Sequence, residues 1–184
     1  MIESFNPAFA YTAKGYSLLK IDLRQAPEAV SSFLRALQLS TDPTGDGWTY
    51  YLLGWAYREV GEEEKAREAL EEAVTRTRQV LSLTPPVWYD DCLYHLQAIY
   101  SEKSETLLTK ERYEEAIAFL TGALDFLPGA TDLYVALGYT YLMTGKDPDR
   151  AIEVLEEAHQ RETEPTEPGW SHYLLGWAYQ ERER

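Results

Sequence analysis

Two blocks of thirteen residues, GWTYYLLGWAYRE at 47–59 and GWSHYLLGWAYQE at 169–181, agree at ten positions. Agreement of that length within one chain means a duplicated structural unit, so the fold must be built by repetition. The core of the block is Tyr50-x-x-Leu53-Gly54-x-x-Tyr57. Its spacing returns at Tyr134, Leu137, Gly138 and Tyr141, at His172, Leu175, Gly176 and Tyr179, and in weaker form at Tyr11, Lys14, Gly15 and Leu18. Positions i, i+3, i+4 and i+7 share one face of an α-helix. A glycine inside a helix costs about 1 kcal/mol relative to alanine. Its return at one fixed place predicts a crossing with a second helix too close to admit a Cβ.

A second pattern follows each block: Ala29, Phe33 and Ala36; Ala66, Leu70 and Ala73; Ala116, Leu120 and Ala123; Ala151, Leu155 and Ala158. A large apolar residue between small ones at helical spacing suits that close crossing. Gly61 and Gly145 supply turns, and Asp147-Pro148 reads as an N-cap followed by proline in the first turn. Thr84-Pro85-Pro86 separates two long helical runs, about 63–83 and 87–108. They predict one lengthened hairpin in the middle.

The combination, L-G-x2-Y led by an aromatic and followed by A-x3-F, alanine and proline, resembles the tetratricopeptide repeat over nearly the whole chain. It departs from that family at the leading Trp, where Tyr11, Tyr50, Tyr134 and His172 stand. It departs also in period, with glycine-to-glycine steps of 39, 84 over two units, and 38, against about 34 per repeat in the family. The resemblance implies an all-α, right-handed α-solenoid of helix–turn–helix units. We expect a single domain over 1–184, with units near 7–43, 47–83, 87–128 and 131–162 and a lone terminal helix at 169–184. That last helix copies the first helix of the second unit and not a polar cap. An open end is therefore expected, covered by another chain or continued in a longer array.

Net charge bears on partners. At −14 the surface repels phosphate backbones and anionic lipid, which argues against nucleic acid and membranes and for a basic or apolar protein partner. The same acid also serves plain solubility. Cys92 is the only cysteine, so no internal disulfide forms. The N-terminus lacks the pattern of a signal peptide, and no run approaches the roughly 20 apolar residues of a membrane span. A soluble, cytoplasmic protein is expected.

In the resembled family the first helices of each pair line a concave groove, and the residues three before and one after the glycine face into it. Carried onto this chain, those places are Thr12 and Tyr16, Tyr51 and Trp55, Val135 and Tyr139, and Tyr173 and Trp177, with Tyr94 as the equivalent in the divergent third unit. Glu59, Asp91, Asp132 and Glu181 would edge this groove with acid. The expected ligand is a protein or peptide with apolar anchors and some Lys or Arg. The same rings, Trp48 and Trp170 above all, serve equally well as packing between neighbouring repeats. Some relatives grip the C-terminal carboxylate of heat-shock chaperones with Lys, Asn and Arg. Here Tyr and Trp beside carboxylates hold the corresponding places, and the charges disfavour that ligand.

Chemistry is not expected. His95, His159 and His172 are scattered without ligand-spaced Cys or acids, so neither metal nor cofactor is implied. The paired glutamates at 71–72, 114–115 and 156–157 fall on second helices, where solvated faces with i,i+4 ion pairs explain them. The resulting expectation is a non-enzymatic interaction scaffold. The alternative is a self-assembly element whose open repeat ends stack into homo-oligomers through the C-terminal helix.

Overall fold

Asn6 and Pro7 start the first helix as local chemistry dictates: the Asn6 side chain accepts from the Phe9 N–H at 3.2 Å, and proline at the first position has no N–H to leave unpaired. From there the computed structural model describes residues 6–42, 45–80, 84–161 and 170–184. Its helices are α1 (Pro7–Ile21), α2 (Ala26–Leu39), α3 (Gly47–Glu59), α4 (Glu63–Val80), α5 (Tyr89–Thr109), α6 (Tyr113–Phe126), α7 (Thr131–Thr144), α8 (Pro148–Arg161) and α9 (Trp170–Arg182), with a 3₁₀ turn at Leu23–Gln25. Among the described residues there is no strand. The architecture is an all-α repeat fold of paired helices. α4 and α5, at 18 and 21 residues, are longer than the 13 to 15 of the others. Residues 81–83 of the run expected over 63–83, and the stretch between the unit expected at 131–162 and the terminal helix expected at 169–184, lie outside the described residues.

The chain divides into two compact units, 1–96 and 97–184, with the boundary inside α5. In the first unit α2 packs on α1, and α3 packs on both α2 and α4. Gly15 and Gly54 make the predicted crossings. A Cβ on Gly15 would lie 2.7 Å from Phe33 Cζ, and one on Gly54 would lie 2.6 Å from Leu70 Cγ. Phe33, Leu70 and their flanking alanines are all but sealed from solvent. The hydroxyls of Thr12 and Thr49, both buried, meet at 3.0 Å between α1 and α3, so each has a partner. The Cys92 thiol of α5 is buried against the Leu70 carbonyl at 3.7 Å, and burial pushes its pKa up to about 12.

The second unit repeats the arrangement. α7 packs on α6 and α8, and α9 packs on α8. A Cβ on Gly138 would meet the Leu155 side chain, with Cδ2 at 2.6 Å. Ala116, Leu120 and Ala123 are buried like their counterparts. Asp147 caps α8 by accepting from the Arg150 N–H at 3.0 Å.

The turns repeat as well. Between α3 and α4, Gly61 N–H donates to Arg58 O and Glu62 N–H to Tyr57 O, with Gly61 at φ 77°. Between α5 and α6 the same pair of bonds runs from Glu111 to Leu108 and from Arg112 to Leu107, with Glu111 at φ 55°. This is the left-handed C-terminal cap that favours glycine. In the second case a glutamate accepts the strain because the bonding pattern and the next helix require the turn.

Candidate functional site

The aromatic residues of the first unit gather in one place. α1 supplies Tyr16, α3 supplies Trp48, Tyr51 and Trp55 one turn apart, and the segment leading into α5 supplies Trp88. Tyr51 and Trp88 stack at 5.5 Å and 23°. Trp48 lies 5.9 Å from Tyr16, 5.3 Å from Tyr51 and 5.7 Å from Trp88. These rings, with Lys20, Leu52, Asp91 and His95, line a cleft of about 350 Å³. Rings from three elements meet here because α1 and α3 present the same helical face and the Pro85-Pro86 restart lays Trp88 across it.

Polar groups fix the rings from behind. The Trp55 indole N–H donates to Glu59 Oε1 at 3.0 Å, and the Tyr51 hydroxyl donates to Asp91 Oδ2 at 3.4 Å. Burial first, and the Asp91 charge next, push the Tyr51 phenol up to about 12, so it stays a hydrogen-bond donor. Arg58 Nη1 lies 3.0 Å from His95 Nδ1. Since arginine only donates, Nδ1 accepts and the imidazole is neutral. Burial and then the Arg58 charge hold His95 below its ordinary pKa, although Asp91 and Glu59 pull the other way. The Lys20 ammonium sits over two rings, 5.6 Å from the Tyr16 centroid and 5.7 Å from that of Trp55.

The expected groove residues separate in environment. Tyr16 and Trp55 are partly open to solvent, at 36% for Tyr16, whereas Tyr51 is 6% exposed and forms the floor. Asp91 lines the cleft, and Glu59 stands behind Trp55. Tyr94 is 69% exposed and lies edge-on to His95 at 5.7 Å, outside the cleft lining.

In the second unit, Asp132 accepts from Gln97 Nε2 at 2.8 Å and from Ser101 Oγ at 3.2 Å, a structural role between α5 and α7. Tyr139 and Trp177 pack against the α8–α9 core as partly buried rings. Tyr173, 62% exposed, stacks on Trp170 at 5.6 Å and 16°. Trp177 Nε1 donates to Glu181 Oε1 at 3.1 Å, as Trp55 does to Glu59. His172, Tyr173, Gly176, Trp177, Gln180, Glu181 and Arg184 line a shallow open hollow of about 560 Å³ on α9.

Trp88 and Lys20 belong to the cleft without being reached by the repeat spacing. Trp88, inside the helical run expected over 87–108, lies in the turn just before α5; its sequence signal is an aromatic residue two places after Pro85-Pro86. Among the described residues no group of three or more His, Cys, Asp or Glu could hold a metal, and no helix is long and apolar enough to cross a membrane.

The tetratricopeptide repeat family model matches residues 9–79. Among solved structures, the crystal structure of MamA is similar at 23% identity over 85% of this chain and 79% of that one, with a TM-score of 0.48. YrrB, described as a TPR protein with an unusual peptide-binding site, is 19% identical over 98% of this chain and 80% of its own, with a TM-score of 0.49. BtubC from P. vanneervenii is 18% identical over 96% and 82%, with a TM-score of 0.45. No curated protein matches the chain.

Proposed function

We infer that this chain, which carries tetratricopeptide repeats over residues 9–79, is a protein-interaction scaffold whose cleft on the first unit holds a segment of a partner. The observation that carries this reading is the meeting of Tyr16, Trp48, Tyr51, Trp55 and Trp88 around one open cleft, with Tyr16 and Trp55 reaching solvent. Aromatic rings offer large contact area at low entropic cost and dominate many interfaces. A floor already fixed by stacking and by the Asp91 bond loses little freedom on binding. Asp91, Glu59 and the net charge of −14 favour a partner segment with apolar anchors and basic residues.

The test is selection of displayed peptides on the intact protein, followed by affinity measurement on Tyr16→Ala/Trp55→Ala. Selected peptides should be aromatic or aliphatic with Lys or Arg. The double variant should weaken them at least tenfold with far-UV helicity intact. Selection of no peptide, or unchanged affinity in the variant, refutes the reading.

A second reading, self-association through α9, draws on a different observation. Trp170 is 52% exposed and stacked on the exposed Tyr173, and a Cβ on Gly176 would meet nothing within 4 Å. Sedimentation of Tyr173→Glu against the parent chain tests it. A dimer or larger species that dissociates in the variant supports it, and a monomer in both removes it.

A further inference from the structure

We propose that the cleft of the first unit is a box for a single alkylammonium group, a lysine or methylated-lysine side chain of the partner, and that Lys20 fills it in the guest's absence. The proposal rests on the cleft being the partner-binding surface and adds the chemistry of its central anchor.

Three observations meet here. First, the walls are π faces: Tyr16 and Trp55 stand at the open side and Tyr51, Trp48 and Trp88 close the floor. Aromatic faces are negative and attract cations within about 6 Å of the centroid.

Second, the rings are backed by acid. Glu59 accepts from the Trp55 indole edge, and Asp91, which lines the cleft, accepts from the Tyr51 hydroxyl, so negative charge stands behind one wall and beside another. The other charged groups do not reverse this. Arg58 is directed at His95, and His95 is held neutral beside it.

Third, the protein already places a cation there. Lys20 Nζ lies 5.6 Å and 5.7 Å from the Tyr16 and Trp55 centroids and, among the described residues, forms no ion pair with a carboxylate. With its ammonium over two rings, Lys20 occupies the place proposed for the guest. Lys20 sits in the last turn of α1 on an exposed, flexible stem, so its ammonium can be displaced without unfolding anything. It is a tethered competitor, and it weakens any guest by the fraction of time it occupies the rings.

The experiment uses the intact protein, tryptophan fluorescence and two small probes of equal shape: choline, which carries a quaternary ammonium, and 3,3-dimethylbutanol, its uncharged carbon counterpart. Choline should titrate the fluorescence saturably and at least fivefold more tightly than the alcohol. Lys20→Ala should tighten choline severalfold, and Trp55→Ala should abolish the response with helicity retained. Peptides selected on the cleft are then resynthesised with lysine, trimethyl-lysine or norleucine at the anchor. Loss of affinity on norleucine substitution supports the proposal, and the lysine-to-trimethyl-lysine ratio tells which ammonium is preferred. Equal binding of choline and the alcohol, or no effect of Lys20→Ala on choline, overturns it. Norleucine peptides that bind as well as lysine ones overturn it too, while leaving the partner-binding cleft standing; failure of every peptide ends both.

Discussion

α3 and α9 carry nearly one sequence in two surroundings. In α3, Gly54 is pressed against Leu70 of α4, Tyr50 lies under the Arg76 guanidinium at 4.8 Å, and Tyr51 is sealed beneath Trp88. In α9, Gly176 faces no atom within 4 Å, His172 meets His159 edge-on at 4.4 Å, and Tyr173 stands in solvent. The bond from Trp to the glutamate four residues on is the same in both, because it is made within one helix turn. What a repeat encodes locally is therefore retained, and what it encodes about neighbours is expressed only where a neighbour is present. The glycine and tyrosine places are sockets, and their energetic weight belongs to the contact more than to the residue.

The largest expected difference is at the tyrosines. Tyr51→Ala removes a buried ring, its stack on Trp88 and the Asp91 bond, and should cost about 3 kcal/mol or more in urea unfolding. Tyr173→Ala removes an exposed ring and should stay within about 0.5 kcal/mol. Similar losses at both positions would mean that α9 is covered in solution as α3 is in the fold. Next in size is Gly54→Ala. The new methyl would lie 2.6 Å from Leu70 Cγ and 3.2 Å from the Ala66 carbonyl oxygen. Overpacking of that kind costs about 1–3 kcal/mol and outweighs the helical preference of alanine. Adding Leu70→Val should recover part of the loss, since the two sites share one contact. Recovery of nothing would place the strain at the Ala66 backbone instead.

The sequence made the helix pairs legible because the residues that build them recur with a period of 3.6 and because the glycine-to-leucine contact is carried by residues of fixed type. Tyr16, Tyr51 and Trp55 were named through the resemblance, which carried the family's groove places onto this chain, and periodicity alone would not have joined Tyr16 of α1 to the two rings of α3. Trp88 was not: the helical run expected over 87–108 included it, whereas α5 begins at Tyr89 and leaves Trp88 in the preceding turn. Lys20 was not, since its stem can swing to several neighbours and only the folded crossing of α1 and α3 selects the rings. The depth of Tyr51 was hidden likewise: the spacing places it on the Trp55 side of α3, and only the chain arriving through Pro86 turns that side from open groove into floor. The left-handed backbone at Glu111 was hidden by a residue that gives no glycine signal.

The smallest effect is the most diagnostic. Gly176→Ala adds a methyl where nothing stands within 4 Å. The only energetic consequence is then the intrinsic one, the gain of about 0.5–1 kcal/mol when alanine replaces glycine in an exposed helix interior. The sign should thus be opposite to that of Gly54→Ala although the two glycines occupy equivalent places in nearly identical blocks. Urea midpoints, together with hydrogen exchange of the α9 amides, read the sign directly. A destabilised Gly176→Ala at high protein concentration that becomes stabilised on dilution would show another helix seated in the socket, making the contact that Leu70 makes with Gly54. A gain that is independent of concentration would show that α9 keeps this face open in the isolated chain.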